Sequence, residues 1–106
     1  MFARRVSLNL KPNSAASLTE RIEREVLPLL RKQSGFQDEI VLLTKDGNKA
    51  FGISLWDRSE SAEAYARDTY PQVEKMLMPL IEGTPHVGTY NVSNSTSHKV
   101  AASVPA

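Results

Sequence analysis

The chain has 106 residues, 41% hydrophobic and 24% charged, a composition that makes one folded core and excludes an extended disordered chain. Thirteen Lys and Arg against twelve Asp and Glu leave a formal net charge of +1, far from the basic excess that a phosphate backbone selects, so nucleic acid is not an expected partner. Cysteine is absent, which excludes disulfides, thiolate nucleophiles, cysteine zinc sites and iron–sulfur clusters. No apolar run approaches the roughly 18 residues that cross a bilayer, and Val6 to Leu10 is too short for a signal-peptide core. The expectation is a cytoplasmic protein with no membrane partner.

Val6, Leu8 and Leu10 alternate with Ser7 and Asn9 as a strand does, and Lys11-Pro12-Asn13 ends it. Ser14 or Ser17 can cap the helix that follows, and Ser17-Leu18-Thr19-Glu20 has the form of a capping box. Leu18, Ile22, Val26 and Leu29 or Leu30 recur at helical spacing, with a kink predicted at Pro28 because proline lacks the amide hydrogen. Gly35 closes this helix. Phe36 to Lys45 reads as a second strand, its continuous apolar centre predicting burial on both faces. Asp46-Gly47-Asn48 is a tight turn, and Ala50 to Asp57 returns as the third strand. Ser59 is the expected cap of a second helical region that carries Ala62, Tyr65, Val73 and Leu77 on one face and is divided at Pro71. Gly83-Thr84-Pro85 is expected to close the helix, with a fourth strand from His86 to Val92. Residues 93–106 then form a C-terminal tail behind a domain of residues 1–92.

The order βαββαβ predicts an α+β, ferredoxin-like fold, a four-stranded antiparallel sheet with helices on one face. Phe51, Ile53 and Leu55 point to one side of the third strand and Ala50, Gly52, Ser54 and Trp56 to the other, so neither side is built for water. The face without helices needs a partner. The simplest is the same sheet from a second chain, which predicts a homodimer.

A strand ending in Trp56, followed by Asp57-Arg58-Ser59-Glu60-Ser61-Ala62-Glu63-Ala64-Tyr65, resembles the strand-to-helix signature of the antibiotic biosynthesis monooxygenase-like domains of the dimeric α+β barrel superfamily. Pro71-Gln72-Val73, Pro79-Leu80 and Pro85 to Tyr90 are similar to the second half of such domains, and the likeness spans about residues 2 to 92. The resemblance implies cofactor-independent oxygenation of a phenolic substrate, haem degradation, isomerisation, or binding without catalysis. The phenol oxygenases commonly place an asparagine where this chain has Gly52. The haem-degrading members place an asparagine and an iron-ligating histidine where it has Val6 and Ala66, which disfavours haem.

What survives is a cavity between sheet and helices for a small apolar or aromatic molecule, with no cofactor. Trp56 is the candidate stacking wall and Tyr65 and Tyr90 the candidate hydrogen-bonding groups. His86, whose imidazole is of the residue type most often used in proton transfer, is the candidate base. Each also has a plain structural role open to it, as core packing for the aromatics and as a solvated strand-edge residue for His86. Two histidines twelve positions apart give no metal site, and no Gly-x-Ser-x-Gly elbow or phosphate loop is present. Arg4-Arg5 reads as a solvated basic pair. The alternatives to an oxygenase are a non-catalytic binding or scaffold dimer and an isomerase or lyase that uses the same pocket.

Overall fold

The computed structural model describes residues 1–100. Four strands, β1 (Phe2–Leu10), β2 (Phe36–Leu43), β3 (Lys49–Trp56) and β4 (Ile81–Asn91), form one antiparallel sheet in the order β2-β3-β1-β4. Helices α1 (Ala15–Arg21), α2 (Leu27–Arg31), α3 (Ser59–Asp68) and α4 (Tyr70–Leu77) complete the ferredoxin-like βαββαβ arrangement. The core lies between the sheet and these helices. It joins Leu8, Leu10 and Trp56 from the strands to Leu18, Leu30, Tyr65, Val73 and Leu77 from the helices.

Pro28 has a larger effect than a simple kink. Between α1 and α2 the chain makes a π-helical turn over Ile22–Val26, in which the Leu27 amide donates to the Ile22 carbonyl. Pro28 then falls in the first turn of α2, where a missing amide leaves nothing unpaired. The wide turn keeps both Ile22 and Val26 buried. At Pro71 the same logic separates α3 from α4 at Thr69.

Several local expectations are corrected. Helix α1 starts behind Ser14 with no side-chain cap, so the capping box at Ser17 does not form. The residue preceding α3 is Arg58, and the Ser59 hydroxyl donates to the Glu60 carboxylate instead of capping the helix. Helix α4 ends through a 3-10 turn, Met78–Leu80, and β4 begins at Ile81. Gly83-Thr84-Pro85 is therefore a bulge inside β4, not a helix closure. The register passes from Ser7 opposite His86 to Asn9 opposite Glu82, and Gly83 takes a φ of 69°. Strand β2 lies at the sheet edge with Ile40, Leu42 and Leu43 exposed in the single chain, so its apolar run is not buried on both faces.

After β4 the Val92 amide donates to the Met1 carbonyl, and residues 92–100 contain no helix or strand. They lead from the β4 edge to the opposite edge, where the His98 ring meets the Asp38 carboxylate of β2 at 3.1 Å. The rest of the expected tail lies outside the described residues.

Two glycines test the backbone. Gly35, with φ 81°, ends the first helical region where a Cβ would collide with Asp57 Oδ1 and Ser61 Oγ. Gly47, with φ 74°, closes the β2–β3 hairpin with only Ala15 Cβ nearby, at 3.6 Å. Gly47→Ala is expected to lose about 1 kcal/mol, the ordinary penalty of the left-handed region, whereas Gly35→Ala is expected to lose more than about 2 kcal/mol. Urea denaturation of the two variants checks the order.

Candidate functional site

Strand alternation decides which side chains reach the space beneath the helices. On β1 that side carries Arg4, Val6 and Leu8, paired with Ser54, Gly52 and Ala50 of β3. On β2 it carries Glu39 and Val41, paired with the same Ser54 and Gly52. Three small residues in a row on the central strand leave room there. A cavity of about 50 Å³ opens between them and Ile22, Val26, Tyr65 and Tyr70 of the helices.

Two side chains that carry full charges, Arg4 and Glu39, line this largely apolar space. Arg4 is only 6% exposed, and its guanidinium lies 4.1 Å from the Tyr70 ring centroid and 5.7 Å from that of Tyr65. Among the described residues it makes no salt bridge, so its charge is met by aromatic faces. Glu39 lies across the empty place of Gly52, its Oε1 at 3.3 Å from where a Cβ would stand. Its Oε2 is buried without a hydrogen-bond partner. Burial pushes its carboxyl up to about 7; the positive charge of Arg4 opposes that shift and the neighbouring Asp38 adds to it. A carboxyl pushed up to about 7 is suited to general acid–base chemistry, and a buried cation lining the same cavity is suited to holding an anion.

The residues expected from the sequence are dispersed. Tyr65 lines the cavity, and burial raises its phenol so that it stays protonated, a donor. Trp56 is fully buried behind it, 5.1 Å between ring centroids, and does not line the space. Its Nε1 donates to Ser54 Oγ at 2.9 Å and its ring meets Phe36 edge-on at 5.6 Å, so it packs instead of forming a stacking wall. His86 and Tyr90 stand opposite Ser7 and Ala3, on the face that turns away from Arg4, Val6 and Leu8. Both are exposed there, and Tyr90 lies under Arg5 instead of in the cavity. Parity is the reason: neither can share a pocket with Tyr65 in one chain. Arg4 is correspondingly not a solvated residue.

Arg4 and Glu39 are the groups that sequence reasoning missed. A signal existed, since Arg4 has the parity of Val6, Leu8 and Leu10, and Glu39 has that of Val41. A charged residue in phase with a buried apolar row is out of place unless it serves a site.

No known family model matches the chain, and no curated protein matches it. Solved structures do. A monooxygenase from the gene ActVA-Orf6 of Streptomyces coelicolor, in complex with nanaomycin D, is similar with a TM-score of 0.77 at 16% identity over 92% of each chain. The fold is that of the antibiotic biosynthesis monooxygenases. SnoaB of Streptomyces nogalater, a cofactor-independent oxygenase, aligns with a TM-score of 0.69 at 16% identity, covering 92% of this chain and 97% of its own. NE2512 of Nitrosomonas europaea, a protein of unknown function, aligns with a TM-score of 0.76 at 16% identity over 92% and 94% of the two chains. At such identity the likeness establishes the monooxygenase fold and leaves the chemistry to the residues. Among the described residues no helix is long and apolar enough to cross a membrane, and no cluster of metal-ligating side chains occurs.

The raised carboxyl of Glu39 makes stability depend on pH. Below about pH 4.5 it is protonated in both folded and unfolded chains; between 4.5 and 7 the unfolded chain ionises first, so stability falls as pH rises and the full loss is present above 7. Glu39→Gln, neutral at every pH, is expected to match the parent near pH 4.5 and to exceed it by on the order of 2–3 kcal/mol at pH 8. Denaturant titrations of both proteins across that range measure the difference directly.

Proposed function

We propose that the cavity takes the hydroxyl end of a small phenol or enol and that the protein is a cofactor-independent monooxygenase, with Glu39 as general base and Arg4 as the group that holds the resulting oxyanion. The observation that supports this reading most is the pairing, in one apolar cavity, of a carboxyl with a pKa of about 7 and a buried guanidinium that form no salt bridge with each other. Neutral Glu39 is the form its surroundings favour, so it accepts a proton readily, and the negative charge that develops on the substrate meets Arg4 in a low-dielectric space. Tyr65 donates a hydrogen bond to the same oxygen.

The chemistry balances without a cofactor. Glu39 takes the hydroxyl proton, the electron-rich ring carbon of the anion transfers an electron to dioxygen and bonds to it, and Glu39 returns the proton to the peroxide. Loss of the proton on that carbon then expels hydroxide as the O–O bond breaks, giving a quinone and water. His86 has no step in this scheme. Glu39→Gln is expected to reduce oxygen uptake by at least about 100-fold on a substrate of this class, and His86→Ala by less than about twofold. Equal loss in both variants overturns the assignment of the base, and turnover that persists without oxygen assigns the site to an isomerase instead.

The working unit in this proposal is a homodimer. Ile40 and Leu42 of β2, Phe51, Ile53 and Leu55 of β3 and Tyr90 of β4 share the face without helices, Tyr90 with 49% of its surface open. Beside them the Arg5 Nε is buried without a partner. A second copy laid on this face covers the apolar row, which a monomer would leave in water. Ile53→Lys is expected to shift the protein from dimer to monomer in sedimentation velocity, while a surface change such as Glu60→Lys leaves it a dimer.

A further inference from the structure

The inner cavity does not stand alone. A second, outer groove of about 200 Å³ lies between the helical region at Thr19 to Leu27 and the edge strand β2, and it shares Ile22, Glu39 and Val41 with the cavity. Glu39, with Ile22 and Val41, thus forms the boundary shared by two chambers, one apolar and covered by helices, the other open along the sheet edge. The shared boundary lies at the π-helical turn, where the chain departs from regular helix over Ile22–Val26. The outer wall is Leu27 on the helix side and Val41 and Leu43 on the strand side, with Leu43 43% exposed.

Volume decides how a ligand must lie. The inner chamber, at about 50 Å³, is a third of the roughly 150 Å³ apolar cavity that admits benzene. Even one benzene ring does not fit inside it, so the chamber admits only the polar end of a ligand, and the ring must lie outside it. The groove offers four times that space, and its apolar floor continues from Val41 to Leu43 in a direct line from the carboxyl.

Building on the proposed chemistry of the cavity, we infer that the ligand is a single-ring phenol or enol with an apolar arm. Its acidic hydroxyl reaches Glu39 and Arg4, its ring lies across the shared boundary beside Ile22 and Val41, and its arm lies on Leu27 and Leu43. The outer groove is then the specificity-determining part of the site, selecting for length along β2, while the inner chamber recognises only the hydroxyl end. Glu23 and Thr19 add polar groups to the lining of the same groove, so its apolar part is Leu27, Val41 and Leu43 with Ile22.

The test is a calorimetric titration of phenol and of 4-ethyl-, 4-butyl- and 4-hexylphenol, with a rigid tricyclic phenol for comparison. Affinity is expected to rise by about threefold per methylene along the alkyl series, and the tricyclic phenol to bind more weakly than 4-butylphenol. Leu43→Glu, a change at an exposed edge position whose folding circular dichroism verifies, is expected to flatten that rise to less than about 1.5-fold per methylene, and Leu43→Met to preserve it. Binding of phenol with no gain along the series, a gain that survives Leu43→Glu, or tighter binding of the tricyclic phenol overturns the two-chamber inference and leaves the cavity reading standing. Failure of every phenol to bind the parent protein overturns both.

Discussion

Every side chain of the sheet is committed to one of two faces by the two-residue period of its strand, and all four helices lie on one of them. That single constraint divides the protein. Arg4, Val6 and Leu8 of β1 go beneath the helices with Ala50, Gly52 and Ser54 of β3, while Arg5, Ser7, Phe51, Ile53 and Leu55 go to the bare side. A slip of one residue in any strand would exchange the two sets and remove both the cavity and the apolar face that awaits a partner. The register is held by the β2–β3 hairpin, where the Thr44 hydroxyl receives the Lys49 amide and donates to Asp46.

Beneath the helices the central strand is deliberately underfilled. Ala50, Gly52 and Ser54 supply little volume, and the adjoining strands fill part of the gap with the two longest polar side chains of that face, Arg4 and Glu39. Neither placement favours stability. A buried guanidinium against aromatic rings and a buried carboxyl oxygen without a donor both oppose folding, and a well-packed apolar pair would be the more stable choice. Strain of this kind, concentrated at one cavity, is the usual mark of a site that function maintains. The large aromatic Trp56 serves the opposite purpose. Closed off by Phe36, Tyr65 and its bond to Ser54, it makes the rigid end wall of the core against which Tyr65 is positioned.

Proline shapes the access to that cavity. Because Pro28 cannot donate an amide, the first helical region opens into a π turn just before it, and Ile22 of that turn lines both the cavity and the groove together with Glu39 and Val41. One backbone irregularity thus belongs at once to the packing of the helix and to the shape of the site. Pro85 acts likewise at the far edge, where the bulge at Gly83-Thr84-Pro85 lets β4 recover its pairing and carry His86 to the outer face.

The sequence by itself determined the order βαββαβ, the breaks at Pro28 and Pro71, the Asp46-Gly47 turn and the two-faced character of β3. All of these are written in local patterns: a period of two, a period near four, a residue without an amide, a residue without a Cβ. It was less able to fix boundaries, because Ile81 to Pro85 has the composition of a helix end and becomes strand only by pairing with Leu10 and Asn9. The site was the part that only tertiary structure decided. His86, Trp56, Tyr65 and Tyr90 have suitable chemistry, yet strand parity sends two of them to the bare face and packing encloses a third. Arg4 and Glu39 are thirty-five positions apart and sit on strands that do not touch. They meet at one cavity because β3 lies between those strands and has nothing but a hydrogen atom at Gly52 to keep them out. Which charges a fold brings together, and how much water it leaves around them, depends on neighbours distant in sequence, and no local pattern carries that information.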